Sequence, residues 1–144
     1  MKTSCSLAIL SIALTLTFSS CKKDKDKART KTDLLTSKTW IYDEYFRGYN
    51  TNNTILYYKR GKANNLLNLD PAKVTFRTDG TYTEVNETGT TFNGMWKFLN
   101  GETGVQVINT VGTFSSTIII LDDQRYYWYD ATTSNGTYGK MIPQ

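Results

Sequence analysis

From Trp40 onward the chain alternates. Trp40-Ile-Tyr-Asp-Glu-Tyr-Phe46 sets Trp40, Tyr42, Glu44 and Phe46 on one side of an extended segment, and a period of two predicts a strand. Gly48 to Thr54 is an Asn- and Gly-rich loop, and Ile55 to Tyr58 is a second strand. Gly61 to Pro71 is less regular, with Leu66, Leu67 and Leu69 expected to plug an end of the fold or form a short strand. Val74–Arg77 and Tyr82–Val85 flank Thr78-Asp79-Gly80-Thr81. That is a hairpin, because Asp-Gly supplies the positive φ angles of a tight turn. Phe92, Gly94, Trp96 and Phe98 alternate within 91–99, and Asn100-Gly101 makes the next tight turn. Gly104–Val111 and Thr113–Leu121 are β-branched strands, Asp122-Asp123 turns the chain, and Arg125–Tyr129 follows. Asn135-Gly136 turns it again before Tyr138–Ile142. No window after residue 40 keeps a helical period. Eight or nine strands joined by short hairpins predict an all-β fold, an antiparallel up-and-down barrel of about eight strands; an open sandwich is the alternative. Trp40, Phe76 and Trp96 are the expected core residues. Ahead of the strands stands a short helical turn, capped by Thr32 or Asp33, with Leu34-Leu35 as its apolar contacts.

The first 32 residues read differently. Met1-Lys2 precedes an uncharged run from Leu7 to Phe18. A membrane span needs roughly 20 apolar residues, so this run is too short to remain in a bilayer and fits the apolar core of a signal peptide over residues 1–20. Ser19-Ser20-Cys21 resembles the lipobox of bacterial lipoproteins, with Phe18 where Leu is usual. The resemblance implies that Cys21 carries the lipid and becomes the first mature residue, anchoring the protein to a membrane. Each buried CH₂ contributes about 0.8 kcal/mol, so several acyl chains hold the protein there. A disulfide with Cys5 is the other reading of Cys21, and removal of the signal would exclude it. Residues 21–32, CKKDKDKARTKT, carry six basic and two acidic side chains. Such a segment lacks the apolar surface to fold and reads as a charged tether. Charged residues after a lipidated Cys also resemble surface-export signals of Bacteroidetes lipoproteins, which are acid-rich where this tether is Lys-rich. The expected location is the cell envelope, at the outer membrane, with surface exposure left open.

Charge and composition narrow the chemistry. The chain of 144 residues has formal charge +4 and no His, and both Cys lie within the first 21 residues. The tether holds the positive charge; residues 33–144 carry ten basic and eleven acidic side chains. The basic balance therefore argues for no nucleic-acid partner. Without His, a Cys₂His₂ zinc site and a Ser-His-Asp triad are excluded. No metal or cofactor is expected, and no Ca²⁺-loop spacing is present. Three carboxylate pairs remain for acid–base work. Asp43 and Glu44 point to opposite faces of a strand. Asp122 and Asp123 sit in a turn. Glu84 and Glu87 read as solvent-facing at a strand end. None makes a catalytic site.

Leu34-Leu-Thr-Ser-Lys-Thr-Trp40 resembles the L-x-G-K-x-W opening of lipocalin-like domains in Bacteroidetes lipoproteins, with Ser37 where Gly is usual. Val74-Thr-Phe-Arg-Thr-Asp-Gly-Thr-Tyr82 and Gly94-Met-Trp96 are similar to the same group, and the likeness covers most of residues 33–144. It implies an eight-stranded barrel whose mouth holds an apolar or amphipathic small molecule. It also implies a cation packed on the first-strand Trp40, for which Arg125 and Lys140 are the candidates.

Ten Tyr, six Phe and three Trp are many for such a domain. Tyr126-Tyr127-Trp128-Tyr129 puts aromatics on both faces of one strand, which a strand covered on one side does not need. Tyr126, Tyr127, Trp128 and Tyr129 are therefore the candidate ligand contacts; β-propensity and core filling are the plainer reading. The expected function is non-catalytic binding of a small hydrophobic or glycan-like ligand in or at the mouth of the barrel. The alternative is an envelope module that docks a protein partner through an outer aromatic surface.

Overall fold

The computed structural model describes residues 28–133 and 135–144. The expected signal peptide, Cys21 and the expected tether up to Lys27 lie outside the described residues. Ordered structure begins earlier than Asp33: α1 spans Lys31–Thr36 and is capped by Thr30, not by Thr32 or Asp33. Thr30 Oγ1 accepts from the Asp33 amide at 3.0 Å, and the Asp33 carboxylate accepts from the Thr30 amide at 3.0 Å. Asp33 thus closes a capping box from inside the first turn.

Nine antiparallel strands follow: β1 Thr39–Arg47, β2 Ile55–Lys59, β3 Lys73–Phe76, β4 Thr81–Val85, β5 Thr91–Leu99, β6 Gly104–Asn109, β7 Thr113–Leu121, β8 Tyr126–Asp130 and β9 Thr137–Pro143. Neighbours from β3 to β9 pair in chain order, and β9 returns to β1 over Trp40–Arg47. The other edge of β1 is shared. Its first residues, Thr39–Ile41, pair with β3, and Glu44–Arg47 pair with β2. Eight strands close a barrel and β2 is an extra strand beside the far half of β1, which settles the fold as a barrel and not an open sandwich.

Strand direction gives the barrel two unlike ends. One end carries α1 and the turns at 77–80, 100–103 and 122–125; the other carries the loops at 48–54, 86–90, 110–112 and 131–136. The first is closed. Leu35 of α1 and Trp40 are fully buried there, packed with Phe76, Trp96, Tyr126 and Met141. Trp40 meets Tyr126 edge-on at 5.7 Å and Phe76 meets Trp96 at 5.5 Å, the arrangement that aromatic quadrupoles favour. Both indole N–H groups donate to backbone carbonyls, Trp40 to Leu35 at 2.9 Å and Trp96 to Arg77 at 2.8 Å. The cation on Trp40 is Lys38, 5.6 Å from the ring centre. Arg125 is engaged by Asp122 and Lys140 by Glu44, so neither plays the role the resemblance implied.

The β1 alternation breaks at Asp43. The register against β9 slips between Tyr42 and Glu44, as a bulge does when one residue is inserted. Trp40 and Tyr42 face the lumen while Glu44 and Phe46 face outward, so the four do not share a face. In the β3–β4 hairpin only Gly80 takes positive φ, at 82°; Asp79 instead accepts from the Thr81 amide and hydroxyl. The segment between β2 and β3 forms no strand. Leu69 and Ala72 bury against Tyr58, and Leu67 packs beside them. Leu66 is exposed and plugs nothing.

Candidate functional site

The open half of the barrel is hollow. A cavity of about 380 Å³ is lined by inward residues of β1 and β3–β9, with Tyr42, Val74, Tyr82, Glu84, Phe92, Val107, Asn109, Phe114, Ser116 and Trp128 among them. Two inward glycines explain why large rings leave room. Tyr82 pairs with Gly94 on β5, and a Cβ there would stand 2.7 Å from the Tyr82 ring. Trp128 pairs with Gly139 on β9, where a Cβ would stand 2.6 Å from the indole. In both places glycine leaves room for the ring beside it; a side chain at 94 would also run into the Ile108 carbonyl. Asn109 Nδ2 donates to Tyr82 Oη at 2.7 Å and holds that ring in place. Trp128 is flanked by Tyr42 at 6.4 Å and Tyr45 at 6.3 Å.

Few polar groups enter this apolar wall. Glu84 lies opposite Val74 on one side and Phe92 on the other. It shares the inward face with Tyr82, two residues earlier, so the reading of Glu84 as solvent-facing is overturned. The signal was the same alternation that placed Tyr82 inside. Among the described residues Glu84 accepts no hydrogen bond and forms no ion pair. Burial raises its pKa above the usual carboxylate range, and the charge of Glu87 adds to the effect. Burial also raises the Tyr42 pKa well above normal, with the Glu84 charge as the next cause. Asp130 and Lys73 complete the charged lining. Asp130 Oδ1 is occupied by the Thr132 amide at 2.7 Å and hydroxyl at 2.6 Å.

Three of the four carboxylates in the other two pairs are engaged in structure. Asp122 accepts two hydrogen bonds from Arg125, and Asp123 takes the Arg29 guanidinium. Glu44, on the outer face, bridges Lys59 of β2 and Lys140 of β9 at 2.7 and 2.6 Å.

The aromatic strand divides by alternation. Tyr126 is buried at the closed end and Trp128 lines the cavity. Tyr127 and Tyr129 face outward, half-buried. Tyr138, itself buried, meets Tyr127 at 6.3 Å and stacks on Tyr49 at 4.2 Å, and Tyr49 meets Tyr129 at 5.7 Å. The outer pair is thus covered in part by this chain's own loop and by β9. Of the four residues singled out in the sequence, Tyr126 and Trp128 line the cavity, and Tyr127 and Tyr129 do not.

A second recess of about 500 Å³ opens at the rim beside the 48–54 loop, between Arg47, Ile55 and Tyr57 and residues 135–137. It shares Tyr45, Thr133 and Thr137 with the main cavity.

Set against solved structures, the chain is similar to a DUF4847 family protein from Bacteroides vulgatus, with TM-score 0.55 and 16% identity over 78% of this chain and 96% of that one. It is also similar to a lipocalin-like protein from Bacteroides uniformis, with TM-score 0.49 and 12% identity over 78% and 99%. The likeness to the first of these is one of fold, the closed antiparallel barrel described above. No family model matches the sequence, and no curated protein does. With one end of the barrel packed by Leu35, Trp40 and their neighbours, the lumen opens toward the loops of the other end. No described helix is long and apolar enough to cross a membrane.

Proposed function

We infer that this protein is a non-catalytic binder of a small hydrophobic or amphipathic molecule, held in the open half of the barrel. The observation that carries the reading is the cavity itself. At about 380 Å³ it is lined mainly by apolar and aromatic side chains, with a few polar groups converging on it, which is the make-up of small-molecule sites. The docking alternative draws on Tyr127 and Tyr129, and their packing against Tyr138 and Tyr49 leaves less of them to offer.

Native mass spectrometry of the protein purified from its own host tests this reading. A noncovalent mass is expected to travel with the wild type and to be lost from Val107→Phe, which fills the lumen. A wild type that carries no such mass and binds no apolar probe would sink it. The same reading places the protein in the cell envelope, at the outer membrane, on a lipid attached to Cys21. Cys21→Ser is expected to release it from the membrane fraction or leave the precursor uncut. A Cys21→Ser protein that matures and still needs detergent would refute the anchor.

A further inference from the structure

We propose that the cavity selects a ligand with an apolar body and a protonated amine, and that Glu84 is the counter-charge for the ammonium. This rests on the cavity being a ligand site and adds the chemical class of what enters it.

Glu84 projects into the lumen between Val74 and Phe92 and has no hydrogen-bond or ion-pair partner among the described residues. An unpaired carboxylate against apolar walls costs free energy in the empty protein. A fold without use for it would place Gln or Leu there. The charges nearby do not relieve it. Glu87 is a like charge and raises the Glu84 pKa further. Asp130 is also acidic, with one oxygen already committed to Thr132. Lys73 is the lone cation of the lining, and it is not among the groups that act on Glu84.

An ammonium group answers this arrangement and a carboxylate does not. It donates to Glu84 in a charge-assisted hydrogen bond. The Tyr42 hydroxyl, which shares the cavity and has no hydrogen-bond partner among the described residues, is a second acceptor. Tyr42 and Trp128 bring aromatic rings to the same lining, and the attraction of a cation to such rings grows when the site is desolvated. A fatty-acid carboxylate in the same position would meet like charge from Glu84 and Glu87. The volume suits a body of one to three fused rings, at the small end of the roughly 300–1,000 Å³ of ligand pockets.

Three probes with one body and different heads separate the cases: 1-adamantylamine, 1-adamantanol and adamantane-1-carboxylate. Each is titrated into the full chain by calorimetry near neutral pH. The amine is expected to bind at least about tenfold tighter than the alcohol, and the carboxylate more weakly than the alcohol. Glu84→Gln should bring the amine down to about the level of the alcohol, and a cooperative thermal melt of the variant shows that it is folded. In the wild type, the Glu84 Cδ resonance should move on adding the amine and stay put with the alcohol. A carboxylate that binds as well as the amine, an amine preference that survives Glu84→Gln, or a silent Glu84 resonance overturns the amine assignment while the cavity reading stands. Failure of all three probes to bind the wild type overturns the cavity reading and the amine assignment with it.

Discussion

Trp128 rests on Gly139, its cross-strand partner, so closely that a methyl group at 139 would stand 2.6 Å from indole Nε1 and Cζ2. The ring cannot move deeper into the wall, which is backbone, so any bulk added at 139 drives it into the lumen. Gly139→Ala is therefore expected to cost about 1–3 kcal/mol through overpacking and to shrink the cavity. Urea unfolding reads the first effect and loss of affinity for an apolar probe reads the second. Unchanged values for both would mean that Trp128 is not seated on Gly139.

Trp40 is the tie between helix and barrel at the closed end. It is fully buried, and its N–H is committed to the Leu35 carbonyl. Trp40→Ala should cost about 3–5 kcal/mol, severe for a domain with roughly 5–15 kcal/mol in hand. Trp40→Phe keeps most of the packing but strips the Leu35 carbonyl of its donor, and should cost less. Equilibrium unfolding in urea ranks the two; equal losses would deny the hydrogen bond any part.

Glu84 lowers stability in the absence of ligand. Its folded pKa is raised, so the native state holds the proton more tightly than the unfolded chain. Stability should therefore fall as pH rises from the ordinary carboxylate pKa through the raised folded value, and stay low above it. Tyr42, Glu87, Asp130 and Lys73 are the titratable groups around it. Glu84→Gln should be more stable than wild type at pH 7 by about 1 kcal/mol, with the difference vanishing in acid. Melting curves across pH decide it, and a Glu84→Gln protein less stable at pH 7 would contradict the burial argument.

Glu44 behaves oppositely. Burial pushes its pKa up, but hydrogen bonds from Lys140 and Lys59 outweigh that and hold it below the usual value. A depressed carboxylate stabilises above its unfolded pKa, and the benefit is lost as pH falls through the folded one. Glu44→Gln should lower the melting temperature at pH 7 and flatten the acid limb. Lys140→Met should do more harm than Lys59→Met, since Lys140 is the less exposed partner, at 29% against 50%. The reverse order would assign the stabilising bond to β2.

Local chemistry made much of this fold readable. Asp79-Gly80, Asn100-Gly101 and Asn135-Gly136 mark turns between strands because few other residues take the backbone angles required, and β5 between the first two alternates cleanly. What stayed hidden depends on partners distant in the chain. The residues of β1 alternate without interruption, yet the register against β9 slips at Asp43 and turns Glu44 and Phe46 outward. Nothing in the local pattern records a bulge that only the partner strand can define. The hollow of the barrel is equally non-local: Gly139 looks like an ordinary strand glycine until Trp128 is placed across it. Glu84 was legible and misread. Its charge suggested solvent, while its spacing from Tyr82 placed it inside, and here spacing decided.

Both ends of the described chain meet the same pole of the barrel. Arg29 is held by Asp123 in the β7–β8 turn, and Gln144 donates its amide to the Thr39 carbonyl at the start of β1. The rim opposite is made of connecting loops alone. A display or immobilisation handle joined at either terminus would therefore present the barrel like a cup held by its base. Loop residues at the rim can be exchanged to retune what enters without disturbing the handle.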